Sequence, residues 1–164
     1  MSIRPANTND IPTIEAIFLN AKQYMRENGN KHQWSGTYPE REIIERDICG
    51  GNCYVYELDN QIVGVFSLFD GPDPTYAKIY DGKWPNDDDY AVIHRRAITV
   101  HGKGIADECY DFGMKRKGVL RIDTHRDNIP MQKSLQKNGF TRCGIIYLAS
   151  GDERIAFCKF TNNR

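Results

Sequence analysis

The hydrophobic period of the chain changes abruptly across two glycines, and that junction constrains the fold more than any other stretch. Residues 90–100 read as an apolar strand. Ile105, Cys109 and Phe112 then recur at helical spacing, in a helix expected over 103–117 and closed by Gly118. The switch itself is His101-Gly102-Lys103-Gly104-Ile105-Ala106. Two glycines in three residues let the backbone approach a ligand closely, and the N–H groups of a helix's first turn have no internal partners. The positive end of the helix dipole and Lys103 attract an anion. The segment is therefore a candidate pyrophosphate cradle, with an ordinary strand-to-helix turn as the competing reading.

The remaining elements follow from the same periodicities. Residues 3–6 form a short edge strand. Thr8 is the expected cap of a helix in which Asp10 suits the dipole and Pro12 sits in the first turn. Ile11, Ile14, Ile17, Phe18, Ala21, Tyr24 and Met25 line its buried side until Asn28-Gly29. A second helix is expected over 39–48, stopped by Gly50-Gly51. Residues 53–58 and 62–69 form a hairpin through Asp59-Asn60-Gln61. Residues 70–74 break the second strand. Residues 75–89 make a long excursion with a short strand around 77–80, and loops of this length are usually functional or mobile. Leu120, Ile122 and Thr124 alternate with Arg121, Asp123 and His125, which predicts a half-buried strand. Asn128 caps a helix with Pro130 and Met131 in its first turn, and Gly139 supplies its left-handed stop. Residues 140–148 and 154–160 close the chain as a hairpin. The order βααβββαβαββ in one domain (1–164) describes a mixed sheet with helices on both faces, of class α/β or α+β.

Composition removes several function classes. The 22 basic and 22 acidic residues cancel, so no global field draws the chain to nucleic acid or to a membrane. No stretch approaches the roughly 20 apolar residues that span a bilayer, and Met1-Ser2-Ile3-Arg4-Pro5 does not read as a signal peptide. The five cysteines are odd in number and scattered, as expected of reduced packing residues in a cytoplasmic protein. No metal is expected: paired Cys/His spacing is lacking, and Asp87-Asp88-Asp89 reads as a solvated turn. A dinucleotide fingerprint begins at Gly102-x-Gly104, but its third glycine position holds Asp107.

Taken with Asp127-Asn128-Ile129-Pro130-Met131, Leu135 and Asn138-Gly139-Phe140, the glycine junction resembles the GCN5-related N-acetyltransferase (GNAT) family. That family carries Gln/Arg-x-x-Gly-x-Gly/Ala between its fourth strand and third helix, and this chain has His101 in the first place. The resemblance implies a GNAT-like acyl-CoA N-acyltransferase fold whose parallel fourth and fifth strands splay apart to admit acetyl-CoA. It implies transfer of the acetyl group to a primary amine by direct attack in a ternary complex.

Roles follow residue by residue. Backbone N–H groups of Gly102, Lys103, Gly104, Ile105 and Ala106, with His101 beside them, would hold the pyrophosphate. The strand edge at Arg96, Ala97 and Ile98 would pair with the pantetheine arm and donate to the oxyanion. Asn128 would lie beside the pantetheine, and Met131 would face the channel. His94, on the fourth strand, is the expected general base, because a neutral imidazole can take the proton of an attacking amine near neutral pH. The family's usual acid, a tyrosine seven residues after the Asn, is here Leu135. The acid is therefore absent, supplied by water, or recruited elsewhere; Ser134 is adjacent, and Tyr110 and Tyr147 lie on other elements. Acceptor recognition is expected at residues 30–34 and along the excursion, with Trp34, Tyr80 and Trp84 as binding surface. The acceptor is a small-molecule amine or a protein or peptide amine, and the chain is a monomer or homodimer. The alternative is a non-catalytic acyl-CoA binding or sensing module of the same fold.

Overall fold

The computed structural model describes residues 2–161. Its order is β1 (Ser2–Pro5), α1 (Ile11–Glu27), α2 (Arg41–Cys49), β2 (Cys53–Leu58), β3 (Gln61–Asp70), β4 (Ala91–Ile98), α3 (Ile105–Lys117), β5 (Val119–Thr124), α4 (Ile129–Lys137), β6 (Thr141–Tyr147) and β7 (Glu153–Phe160). This is the order read from the sequence. The strands form one sheet, β1-β2-β3-β4-β5-β7-β6. Every neighbouring pair is antiparallel except β4 and β5.

Successive residues of β3 serve opposite faces. Val65 packs with Ile14, Ile17 and Ile44 beneath α1 and α2, whereas Phe66 packs with Cys109 and Tyr110 of α3 and Leu135 of α4. Burial of each large apolar side chain contributes about 1.5–3 kcal/mol. The β2–β3 hairpin turns on Asp59 (φ 53°) and Asn60 (φ 64°), two residue types that tolerate the left-handed region.

Three local expectations need correction. The cap before α1 is Asn7 rather than Thr8: the Asn7 side chain accepts from Asn9 N at 2.9 Å, and Asp10 accepts from Asn7 N at 2.8 Å. Thr8 belongs to the short 3-10 turn that precedes α1. The strand expected around 77–80 contracts to a single bridge between Tyr80 and Ile145. Finally, β5 is covered on both faces. The excursion lays Tyr76, Trp84 and Tyr90 over it, so Arg121 is only 4% exposed, its guanidinium 4.1 Å from the Trp84 ring centre and 4.0 Å from that of Tyr90.

The functional opening originates in the parallel pair. β4 and β5 share a register only at Ala91 with Leu120 and Val92 with Arg121. Beyond Val92 the β4 edge has no ladder partner on that side, which is the splay implied by the family resemblance. On its other edge β4 stays paired with β3, but with one extra residue between His94 and Ala97. Arg95 takes φ 52° in this bulge, and bulges of this kind re-aim side chains.

Candidate active site

A cavity of about 890 Å³ opens where the two strands separate. Its wall is built from β4, the glycine junction, the first turns of α4 and the joint between α1 and α2. Such a cleft, largely preformed, is the usual setting for a small-molecule site.

At one end lies the glycine junction. Gly102 (φ 79°) and Gly104 (φ 74°) are both left-handed, which is why the chain needs glycine there. A Cβ at either position would meet no atom within 4 Å. The space in front of the backbone is open, as a phosphate cradle requires. His101 stacks on Tyr24 of α1 with ring centres 4.3 Å apart. Asp107, whose charge would oppose an anion at this junction, is engaged by Asn138 Nδ2 at 2.9 Å and Lys137 Nζ at 3.9 Å. Ile105 and Ala106 complete the wall. Lys103 is exposed and stands outside it, so only its backbone remains in the expected role.

At the other end His94 Nε2 lies 2.8 Å from Asp73 Oδ2. Asp73 also accepts from Thr75 N at 2.9 Å and Thr75 Oγ1 at 2.7 Å. Burial works against the Asp73 charge, but the hydrogen bonds from His94 and Thr75 outweigh it and hold its carboxyl down to about 2. With Nε2–H given to Asp73, Nδ1 is the imidazole nitrogen left free to accept a proton.

The bulge is braced from the far side of the sheet. Arg95 donates to Asp47 at 2.8 and 3.1 Å and to the Tyr38 hydroxyl at 3.2 Å, and Ser67 Oγ donates to Asp47 at 2.7 Å. Burial works against the Arg95 charge, yet Tyr38 and Asp47 more than offset it and its pKa is raised. Arg96 points its guanidinium elsewhere: Nη2 is 2.7 Å from the Met131 sulfur, and the group lies 5.5 Å from the Tyr110 ring centre. Ala97 and Ile98 continue the unpaired edge along the cavity.

The α4 wall is set by its cap. Asn128 Oδ1 accepts from Met131 N at 3.1 Å, as its position at the helix start predicts. Asn128 Nδ2 donates to Gln33 Oε1 at 2.9 Å, and the same oxygen accepts from Asn30 Nδ2 at 3.0 Å and Thr124 Oγ1 at 3.3 Å. Gln33 thereby ties the α1–α2 joint, including Trp34, to the cavity. Leu135 is fully buried and offers no polar atom; the nearest hydroxyls on this side are Ser134 and Tyr110, 3.0 Å apart.

Two of the expected acceptor-binding residues lie elsewhere. Trp84 is absent from the cavity wall: it packs on Arg121 and donates Nε1–H to Tyr76 O at 3.0 Å. Tyr80 is outside it too, half exposed and edge-on to Tyr147 at 5.4 Å. Trp34 does line the cavity. Sequence reasoning missed Asp73 and the Asp47–Arg95 pair, and included Gln33 only as one residue of the 30–34 acceptor segment. Asp73 was legible only as part of a strand break, and Asp47 and Arg95 gave no local signal.

Nucleophilic cysteine chemistry finds no support, because no cysteine lines the cavity and burial pushes Cys53, Cys109 and Cys158 up to about 12. Among the described residues there is no metal-holding group of His, Cys, Asp and Glu, and no helix is long and apolar enough to cross a membrane.

The fold is similar to those of solved structures. A GNAT-family acetyltransferase from Streptococcus agalactiae 2603 superposes with a TM-score of 0.89 at 31% identity, covering 99% of this chain and 96% of that one. A GNAT-family acetyltransferase from Listeria monocytogenes 4b F2365 superposes with a TM-score of 0.71 at 18% identity, covering 98% and 94%. AAC(6′)-Ib, solved with ribostamycin and coenzyme A, gives 0.66 at 14% identity, covering 97% and 92%. For the latter two the likeness is one of fold. No protein-family model and no curated protein sequence matches the chain.

Proposed function

The chain belongs to the GNAT acetyltransferase family and is an acyltransferase, and from that premise we propose that it moves an acetyl group from acetyl-CoA to a primary amine by direct attack in a ternary complex. The observation that carries this reading is the placement of the His94–Asp73 pair and the open glycine cradle at two ends of one cavity. The cradle's backbone N–H groups hold the pyrophosphate, with the α3 dipole behind them. The unpaired β4 edge at Arg96, Ala97 and Ile98 takes the peptide-like pantetheine arm as a further strand. A donor from that edge to the thioester oxygen is worth about 3 kcal/mol in the transition state.

The amine must attack as the free base, although a simple alkylamine is mostly protonated at neutral pH. His94 accepts its proton at Nδ1 while Asp73 fixes the tautomer through Nε2. Holding amine and thioester together supplies much of the remaining rate enhancement. Trp34 and Tyr38, carried by the joint that Gln33 anchors, form the acceptor wall. The acceptor is a small-molecule amine or a peptide amine.

Thiol release across an amine panel tests this reading. His94→Ala should leave acetyl-CoA affinity within about twofold, lower turnover on the order of 100-fold, and flatten the rise of rate with pH. Unchanged turnover would remove His94 from the mechanism.

A further inference from the structure

Arg96 places a cation in the cavity wall with no anion against it. Arg4 meets Asp10 and Glu57, and Arg95 meets Asp47. Among the described residues, no carboxylate is paired with Arg96. Its Nη2 reaches the Met131 sulfur at 2.7 Å, its face lies over Tyr110, and Nε is buried without a hydrogen-bond partner. A thioether is a weak acceptor, and Arg96, half-buried with only its Nε cut off from water, turns an uncompensated charge to the cavity. A ligand that brings negative charge there would be its natural partner.

Acetyl-CoA offers two such places: the pyrophosphate, and the sulfur as it leaves. Position along β4 distinguishes them. His101, where the cradle begins, lies five residues on and past the end of β4 at Ile98, whereas His94 is two residues back on the same strand, at most about 7 Å. Arg96 therefore stands at the reacting end. The helix facing it supplies no obvious acid, since Leu135 is apolar and fully buried and Ser134 Oγ is engaged with the Tyr110 hydroxyl.

We propose that Arg96 stabilises the coenzyme A thiolate as it is expelled, so that the sulfur departs as an anion held by the guanidinium and no proton donor is required. This rests on the acetyl-CoA reading above. The amine lone pair forms the new C–N bond to the thioester carbon. The C–S bond breaks and its electron pair stays on sulfur. The proton lost by nitrogen passes to His94 and then to water. Products are the amide, a thiolate against Arg96, and one proton in solution.

The test is a titration of bound coenzyme A, with thiolate followed by its ultraviolet absorbance as pH is raised. The free coenzyme A thiol, titrated alongside, gives the reference value. A thiolate held by Arg96 lowers the bound value, so affinity must rise with pH until the free thiol has itself ionised. The expected result is a bound thiol titrating at least about one unit low, with an affinity gain of about tenfold. Desulfo-coenzyme A, which lacks the group, should bind with no such rise. Arg96→Gln, which leaves the backbone edge that takes the pantetheine in place, should return the bound thiol to its free value and remove the rise of affinity with pH, and Arg96→Lys should retain part of the shift. A wild-type complex whose thiol titrates at the free value overturns the role of Arg96 and leaves the donor assignment standing. So does an undiminished shift in Arg96→Gln. A wild-type protein that binds neither compound overturns both. Should Arg96→Gln fail to fold, the wild-type comparison of the two compounds decides alone.

Discussion

Asp73 shows how a single residue can define a site without announcing itself. It lies in a stretch rich in glycine and proline, 21 residues from His94, and reads in sequence only as the end of a strand. In the fold it holds His94 Nε2, and with Thr75 this keeps its carboxyl near 2, below the ordinary 3.8. A depressed carboxyl contributes stability that is fully present above the unfolded value and is lost as pH falls through the folded one. The window is therefore from about pH 4 down to about pH 2. Asp73→Asn should be less stable than the wild type by about 2 kcal/mol at neutral pH, and the gap should close across that window. Denaturant unfolding at several pH values measures it; a gap independent of pH would show that the carboxylate charge plays no part. The residues legible beforehand were those whose signal is local. The glycine junction, Asn128 and Met131 each sit in a pattern spanning a few positions. Asp47 was not legible, and Gln33 was read only as part of the 30–34 segment, because their partners lie 48 residues away for Arg95 and 95 for Asn128.

At the scale of elements, period and punctuation placed every helix and strand in the right order, and the errors came where tertiary contact overrode local pattern. β5 alternates apolar and polar residues like a strand with one wet face, yet the excursion covers that face and the aromatic rings of Trp84 and Tyr90 enclose Arg121. The cap expected at Thr8 is instead Asn7, which closes the 3-10 turn leading into α1, because Asn7 and Asp10 complete a reciprocal pair. The α4 cap was read correctly and has a second task, since Asn128 also holds the α1–α2 joint through Gln33. Asn128→Ala should therefore lower stability by about 2 kcal/mol, towards the upper part of the range seen for helix caps. The midpoint of urea unfolding reads this directly, and an unmoved midpoint would mean that the cap is not structural.

The whole molecule is a mixed sheet whose one parallel pair separates after two residues of shared register. Composition and period alone justify only an α/β or α+β class; the splay itself was expected from the family resemblance, because strand divergence leaves no mark on hydrophobic pattern. The cavity gathers β4, α3, α4 and the α1–α2 joint, so its acceptor side is set by long-range packing. That is why Trp34 belongs to the wall while Tyr80 and Trp84, equally aromatic in sequence, do not. The proposed donor side is backbone, and backbone geometry is what the glycines dictate. Calorimetric titration of the purified protein with acetyl-CoA, alongside NADH and Gly104→Glu, tests the donor assignment most directly. Saturable micromolar binding of acetyl-CoA alone, abolished by the glutamate in the cradle, is the expected result; a folded wild-type protein that does not bind acetyl-CoA would contradict it.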